Sequence, residues 1–459
     1  MDVRRLARSA VLRRALRALF ALVLRIFFRR IEVSGSERVP AQGPVLFVLN
    51  HPNGLIDPAF LLCLAPRRVS LLAKAPLFRM PVVGWFCRVM QAIPVQRRQD
   101  AGADLSQNRE TFEAARRVLV TGGAIAIFPE GGSHDEPRLK PLKTGAARIT
   151  LGAAAALGGT PIVIVPAGLY YRAKQTFRSA ALLYFGEPFG VQPVPLAPGA
   201  EPPAEPVREL TSRIERALSD VTLQAERVEA LALIGRAQRI FSAADELPEA
   251  PASLVAELEL RRRFALGYRL MRERWPDRFT ALRARVDRYE TTLGAAGVEP
   301  RHLTPRSYTA ERVLRYVAQS VLVFALLLPA ALAGAVVHYP AYRAVGYVAT
   351  GVAKRDEATV ASGKVLAAML LFPVTWGLAA AAVWAWRGWW AAPVAMVLLP
   401  FAGYGSLVFF ERLDRLIGRA RAAGLFLFKR WAFLRLVVER RAIREEILGL
   451  ARDLGIDAS

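Results

Sequence analysis

The sequence predicts an α/β domain with a mostly parallel sheet, followed by an α-helical segment and a C-terminal region built on a transmembrane helical hairpin. Three observations carry that prediction. Between residues 31 and 195, short apolar runs alternate with helix-length stretches, which implies crossover connections between parallel strands. Two uncharged runs, Val365 to Trp386 and Trp389 to Phe410, are each long enough to span roughly 30 Å of hydrocarbon. Finally, the 459 residues combine 53% hydrophobic residues with a formal net charge of +24. Soluble domains rarely pair the two, whereas membrane proteins need basic flanks beside apolar spans.

Composition removes several classes of function. The apolar fraction excludes a disordered chain. Two cysteines, Cys63 and Cys87, exclude a disulfide scaffold and a Cys-rich metal site. The positive charge raises nucleic-acid binding as a possibility, but the arginines are spread along the chain and flank apolar runs. No nucleic-acid motif accompanies them.

Residues 1–30 carry Arg4, Arg5, Arg8, Arg13, Arg14 and Arg17, then a short run from Ala18 to Leu24 that Arg25 ends. No A-x-A cleavage pattern follows, so this is not a secretory signal. On a helix, Arg13 and Arg17 share one face and Leu12, Leu16, Leu19 and Val23 another. That pattern reads as an amphipathic helix in the membrane interface. The alternative is a tethering helix packed on the following domain.

In residues 31–195 the expected strands are Pro44 to Leu49, Arg68 to Leu72, Gln91 to Val95, Ala124 to Phe128, Pro161 to Val165 and Leu182 to Phe185. Helices are expected at Pro58 to Cys63, Gln107 to Val120 and Ala146 to Leu157. A Pro/Ala/Glu-rich run over 192–206 reads as a linker. Residues 207–298 show Leu, Ile and Val at helical spacing and predict two or three amphipathic helices, broken near Leu247 to Ala252. They carry no catalytic motif, and packing and substrate-entry roles are both open.

Residues 317–410 form the membrane region. Trp384, Trp386, Trp389 and Trp390 cluster at the turn of the hairpin, where interfacial aromatics belong. Val317 to Val337 is apolar as well. A third crossing would separate the N-terminal domain from the basic helical tail at 411–459, with Arg412, Arg415, Arg419 and Arg421. Both prefer the cytoplasm. With Pro329 mid-run and Pro340 after it, the segment is expected to be bent or re-entrant, returning through Ala341 to Ala353. An independent third span is the alternative.

Four local signals carry chemistry. The first is Asn50-His51-Pro52-Asn53-Gly54-Leu55-Ile56-Asp57, directly after an apolar strand. An imidazole takes a proton at neutral pH, and a carboxylate close behind can fix its tautomer. Asn53 and Gly54 suit the turn this requires. The second is Phe128-Pro129-Glu130-Gly131-Gly132-Ser133-His134, followed by Lys140, Lys143 and Arg148. Its glycines let backbone N–H groups approach an anion. Glu130 is a poor direct phosphate ligand and suits orienting an arginine or a hydroxyl. Ser133-His134 invites a hydrolase reading, but G-x-S-x-G is absent, as are H-E-x-x-H and the P-loop pattern. The third runs from Gly84-Trp85-Phe86-Cys87-Arg88 to Ile93-Pro94-Val95-Gln96-Arg97-Arg98, where paired arginines at a strand end can clamp phosphate. The fourth, Val165-Pro166-Ala167-Gly168, reads as a wall of a site.

Together, in this order and spacing, the four signals resemble the blocks of the glycerolipid acyltransferases, the family of 1-acylglycerol-3-phosphate and glycerol-3-phosphate acyltransferases. The resemblance covers about residues 31–190. The family's usual pattern has four residues between His and Asp, whereas five separate His51 from Asp57. Longer fungal glycerol-3-phosphate acyltransferase-like members with C-terminal membrane helices share that interval. The segment Ala353-Lys354-Arg355-Asp356-Glu357 is loosely similar to that branch too.

The resemblance implies acyl transfer from acyl-CoA or acyl carrier protein to a hydroxyl of a phosphate-bearing glycerolipid. 1-Acylglycerol 3-phosphate, giving phosphatidic acid, is the first expectation. Glycerol 3-phosphate and dihydroxyacetone phosphate are the alternatives, and a non-catalytic lipid-binding membrane module is the alternative of another class. His51 is the implied base and Asp57 its orienting partner. Arg97, Glu130, Gly131 and Gly132 are implied to bind the acceptor. Asn53, Arg98, Ser133, Lys140 and Lys143 are weaker candidates. No metal, cofactor or nucleic acid is implied. The expected partners are membrane lipid and the acyl donor. The expected setting is a bacterial inner membrane with the catalytic domain facing the cytoplasm.

Overall fold

A computed structural model of the chain describes residues 3–96, 108–197, 200–243, 253–300, 303, 310–353 and 357–456. The elements are α1 (Val3–Phe27), β1 (Phe28–Ser34), β2 (Val45–Leu49), α2 (Ile56–Leu64), β3 (Ser70–Lys74), α3 (Pro81–Val89), β4 (Ile93–Val95), α4 (Asn108–Val120), β5 (Ala124–Ile127), α5 (Gly145–Ala156), β6 (Ile162–Tyr171), β7 (Ser179–Phe185) and β8 (Phe189–Val191). There follow α6 (Ala204–Ser219), α7 (Val228–Ser242), α8 (Leu254–Arg274), α9 (Pro276–Ala296), α10 (Ala310–Ala353), α11 (Glu357–Arg387), α12 (Ala391–Phe428) and α13 (Arg430–Asp453). They form two compact units. The first comprises residues 1–224, 253–258 and 349–365, and the second the remainder.

The first unit holds an eight-stranded sheet in the order β1-β7-β6-β2-β5-β3-β4, with β8 paired to β6. Pairings are parallel except β6 with β7 and β6 with β8. All six expected strands are present, and the expected helices are α2, α4 and α5. Strand β2 is buried along its whole length, because a central parallel strand has both faces covered. Leu46 and Val48 join a core with residues of α4, α5 and α6, while the Phe47 ring meets Phe185 at 5.9 Å.

Three features differ from the sequence expectation. The strand β1 begins before residue 31, at Phe28. The three-residue strand β8 is too short for an alternating signal, and the helix α3, opened by Pro81, stands in addition to the expected helices. The compact unit also extends past residue 195 to Gln224, because Val207, Leu210, Ile214 and Leu218 of α6 pack into the sheet core. The expected linker therefore ends where α6 begins, and the described residues of 204–296 hold four helices instead of two or three. The expected break at 247–252 lies outside the described residues.

Helix α1 uses two faces. Leu24 and Phe27 are buried, the Phe20 ring lies 4.7 Å from Phe86, and Arg17 Nη2 donates to Cys63 O at 3.4 Å. One face thus packs on the domain. Val11, Leu19, Leu22 and Ile26 remain exposed along another.

In the second unit, α7, α9 and α13 share a core that includes Leu233, Ile240, Val286, Tyr289, Phe433, Leu436 and Ile443. Arg285 of α9 donates to Glu439 at 2.7 Å and to Glu446 at 2.6 Å of α13. Three helices are long and apolar enough to cross a membrane, over Val321–Gly351, Val360–Arg387 and Ala391–Phe428. The expected hairpin is α11 and α12, and the four tryptophans at its turn are exposed. No turn interrupts the segment expected to return through Ala341 to Ala353: α10 is one continuous helix through Pro329 and Pro340. A proline inside a long helix removes one hydrogen bond and kinks it, and packed neighbours let the helix continue. The last apolar helix also runs past Phe410 to Phe428, so the tail begins inside α12.

Candidate active site

The loop from β2 to α2 places His51 and Asp57. Asn50 holds its start: Nδ2 donates to Leu169 O at 3.0 Å, and Oδ1 accepts from Leu169 N at 2.7 Å. This carboxamide continues the β2–β6 ladder by one residue. Gly168, next in β6, pairs with Tyr184 of β7, and a Cβ there would come within 1.9 Å of Val221 O.

Asp57 sits in the first turn of α2 with no solvent exposure. Its Oδ2 accepts from His51 Nδ1 at 2.8 Å and from Asn53 N at 2.6 Å. Its Oδ1 accepts from Tyr171 Oη at 2.6 Å. An ionised carboxylate only accepts, so Nδ1 carries the hydrogen and Nε2 is the basic nitrogen. The imidazole stacks on Phe128, with centroids 4.2 Å apart and planes 22° apart. Tyr171 completes a ring cluster with Phe28 and Phe60. Desolvation there, reinforced by the Asp57 charge, holds its phenol well above the ordinary value of 10. The hydroxyl therefore stays protonated and donates.

Glu130 sits at the end of β5 and is buried. Its Oε1 accepts from His51 N at 2.9 Å. Its Oε2 accepts from Lys140 N at 2.9 Å and is bonded to His134 Nε2. His134 N in turn donates to His51 O at 3.2 Å. Both carboxylate oxygens thus hold the backbone around His51 and the loop that follows β5. Gly131 turns that loop at φ +79°, a value that favours glycine, and its N–H donates to Phe128 O at 3.0 Å. Gly132 and Ser133 lie partly exposed on the same loop, and Lys140 and Lys143 are exposed beyond it. Arg97 and Arg98 lie outside the described residues.

Asn53 is buried, and neither its Oδ1 nor its Nδ2 has a hydrogen-bond partner. Lys174, in the loop after β6, donates to Pro52 O at 3.3 Å and pairs with Asp135. Among the described residues, no group of three or more His, Cys, Asp or Glu side chains is placed to hold a metal ion.

The structure thus gathers His51, Asp57, Asn53 and Glu130 at one end of the sheet. It adds Asn50, Tyr171, Lys174 and His134, which sequence reasoning did not single out as site residues. Asn50 and His134 stood inside the quoted motifs. Tyr171 ends a strand far from His51 in sequence, and nothing in the sequence marks it.

Comparison with known proteins bears on this arrangement. The sequence model of the Acyltransferase family matches residues 30–170, and that of the Glycerol-3-phosphate acyltransferase 2 C-terminal domain matches 237–455. The chain thus carries an Acyltransferase domain over residues 30–170 and a Glycerol-3-phosphate acyltransferase 2 C-terminal domain over 237–455. Glycerol-3-phosphate O-acyltransferase 2 of Saccharomyces cerevisiae is 34% identical over 214 residues, covering 46% of this chain and 28% of that protein. An uncharacterized acyltransferase of Schizosaccharomyces pombe is 25% identical over 410 residues, covering 71% of this chain and 60% of that protein. The chloroplastic 1-acyl-sn-glycerol-3-phosphate acyltransferase LPAT1 of Arabidopsis thaliana is 27% identical over 142 residues, covering 31% of this chain and 37% of that protein. The chain therefore spans between 28% and 60% of the length of these relatives. The first family match contains the His51–Asp57 site. The second contains α8 to α13 whole, so the membrane helices are part of the family resemblance.

Proposed function

We propose that this protein transfers a fatty acyl group from acyl-CoA or acyl carrier protein to a hydroxyl of a phosphate-bearing glycerol acceptor. The observation that carries this reading is the 2.8 Å contact between His51 Nδ1 and Asp57 Oδ2. It fixes the tautomer that leaves Nε2 to accept a proton. His51 takes the acceptor's O–H proton as the oxygen attacks the thioester carbonyl. The C–S bond breaks, and the departing thiolate takes the proton from the imidazolium. Asp57 stabilises the imidazolium between these steps, and no acyl-enzyme forms. A lipid-binding module without catalysis has no need of a desolvated His–Asp pair.

The acceptor has two supported readings. The match of residues 237–455 to a glycerol-3-phosphate acyltransferase C-terminal domain favours glycerol 3-phosphate. The plant relative keeps 1-acylglycerol 3-phosphate, giving phosphatidic acid, as the second. Arg97 is assigned to the acceptor phosphate, with Lys140 and Lys143, exposed beyond the Glu130 loop, as weaker candidates. Product analysis of the purified protein with each acceptor and acyl-CoA decides between them; transfer to neither refutes the proposal. Arg97→Ala should raise KM for the acceptor far more than for the donor, because a guanidinium fork suits phosphate. Equal effects on both remove the clamp.

Packing also supports a particular membrane arrangement. Helices α7 and α9 precede the apolar region, and α13 follows it. They share one core, so the chain leaves the membrane on the side where it entered, and the number of crossings is even. At its start, α11 is tied to the first unit through Lys364, whose Nζ donates to Gln175 O at 2.8 Å. Among the described residues, no candidate span lies between that unit and α10. Helix α10 thus begins and ends on the catalytic side and lies in the membrane without crossing it, while α11 and α12 cross. Acyl-CoA and acyl carrier protein are cytoplasmic, and the basic flanks prefer that side. In a bacterium this is the inner face of the inner membrane. The exposed stripe of α1 rests on the same surface.

A further inference from the structure

The first N–H groups of a helix have no partner inside it and must find one elsewhere. Leu55 immediately precedes α2, inside the interval between His51 and Asp57, and no side chain at that position caps the helix. Its neighbours are closed locally: Ile56 N and Asp57 N both donate to Asn53 O, at 3.0 and 3.2 Å. Leu55 N is closed from far away. It donates to Ser362 Oγ at 2.9 Å, across 307 residues of sequence. Ser362 is buried and lies in the second turn of α11.

A second tie stands beside the first. Lys364 Nζ donates to Gln175 O, in the loop that follows Tyr171. Lys174 in the same loop reaches Pro52 O, back within the His51–Asp57 interval. The two loops that place Asp57 are therefore both held by one short stretch of α11, directly before its apolar span.

We propose that Ser362 is a positioning residue of the His51–Asp57 site, supplied by the helix that opens the membrane hairpin. This rests on the acyl-transfer reading given above. Five residues separate His51 from Asp57, and the loop they form leaves the Leu55 amide without a local acceptor. Ser362 supplies one. Leu55 stands two residues before Asp57, so freedom at its amide passes directly to the carboxylate that orients His51. A hydroxyl is suited to this role because it accepts the N–H without placing a second charge beside the pair. The membrane region thereby contributes to catalysis as well as to anchorage, and turnover depends on how the start of α11 is held.

The test uses the full-length protein in lipid nanodiscs, with Ser362→Ala and Ser362→Thr. Three quantities are read: kcat against KM for both substrates, the pH dependence of kcat, and amide hydrogen exchange over residues 50–64. Small displacements of catalytic groups cost turnover rather than binding. Ser362→Ala is therefore expected to lower kcat about tenfold with both KM values within about twofold, to alter the acidic limb of the kcat profile, and to speed exchange at 50–64. Ser362→Thr keeps the hydroxyl and should restore kcat and protection. An alanine variant with wild-type kcat overturns the proposal. So does a threonine variant as slow as alanine while exchange outside residues 50–64 is unchanged. If the wild-type protein transfers no acyl group, the functional reading fails instead. Exchange at 50–64 then still decides whether Ser362 holds the loop.

Discussion

Replacing Tyr171 with phenylalanine isolates one hydrogen bond on the buried carboxylate of Asp57. The wild-type carboxylate receives three donors, from His51, Asn53 and Tyr171, at 2.8, 2.6 and 2.6 Å. The substitution removes only the third and leaves the ring contacts with Phe28 and Phe60. A hydrogen bond to a charged group is worth about 1.5–3 kcal/mol, so a stability loss of about 2 kcal/mol is expected. For a compact unit of this size that corresponds to a Tm lower by about 4–8 °C. Turnover responds less. The bond exists before and after proton transfer, so only the part that changes as His51 gains charge reaches the barrier, and kcat should fall by less than about tenfold, or about 1.4 kcal/mol. With one donor gone, more of the carboxylate charge bears on the imidazolium, and the acidic limb of kcat against pH moves upward. Thermal denaturation and a pH series of initial rates measure both effects. An unchanged Tm together with an unchanged profile refutes the reasoning. A loss as large as that of His51→Ala also refutes it, since the phenol would then act on substrate directly.

His51→Ala should abolish nearly all transfer while membrane association persists, and a variant turning over near the wild-type rate removes His51 from the mechanism. Asp57→Asn should cost at least about tenfold in kcat; a smaller loss in steady-state assays means another residue orients the base. Glu130→Gln replaces an acceptor-only group whose two oxygens receive His51 N, Lys140 N and His134, so it should lower thermal stability and kcat together, and a selective rise in acceptor KM would contradict that role. Single cysteines near Arg98, Arg387 and Arg421, in a background without Cys63 and Cys87, should label with an impermeant thiol reagent in intact cells only at the Arg387 site. Labelling near Arg421 but not near Arg98 means that α10 crosses. Glu439 is held below its ordinary 4.5 by its hydrogen bond from Arg285. A depressed carboxylate stabilises the fold above its unfolded value and loses that contribution as pH falls, so Arg285→Ala should flatten the acid limb of the stability profile of the second unit.

Much of this protein is written locally. The run Val45–Leu49 is apolar at every position because a central parallel strand is covered on both faces, and that signal needs only five residues. Chain order places His51 and Glu130 just past the ends of neighbouring strands β2 and β5, so parallel pairing alone brings them together. The same holds for the hairpin, whose length and tryptophan flanks are fixed by bilayer thickness.

Tertiary structure decided what depends on partners distant in sequence. Tyr171 and Ser362 are ordinary strand and helix residues by composition. They become part of the site because β6 runs beside β2, and because α11 starts against the His51–Asp57 loop. In the sequence Glu130 suited orienting a neighbouring group, and the family resemblance placed it in the acceptor pocket. Folding engages both of its oxygens with His51 N, Lys140 N and His134. Helix α10 makes the same point for topology. Its hydropathy is that of a crossing helix, and the return proposed for it rests on α7 and α9 meeting α13 in one core, a contact between segments more than a hundred residues apart that no local pattern records.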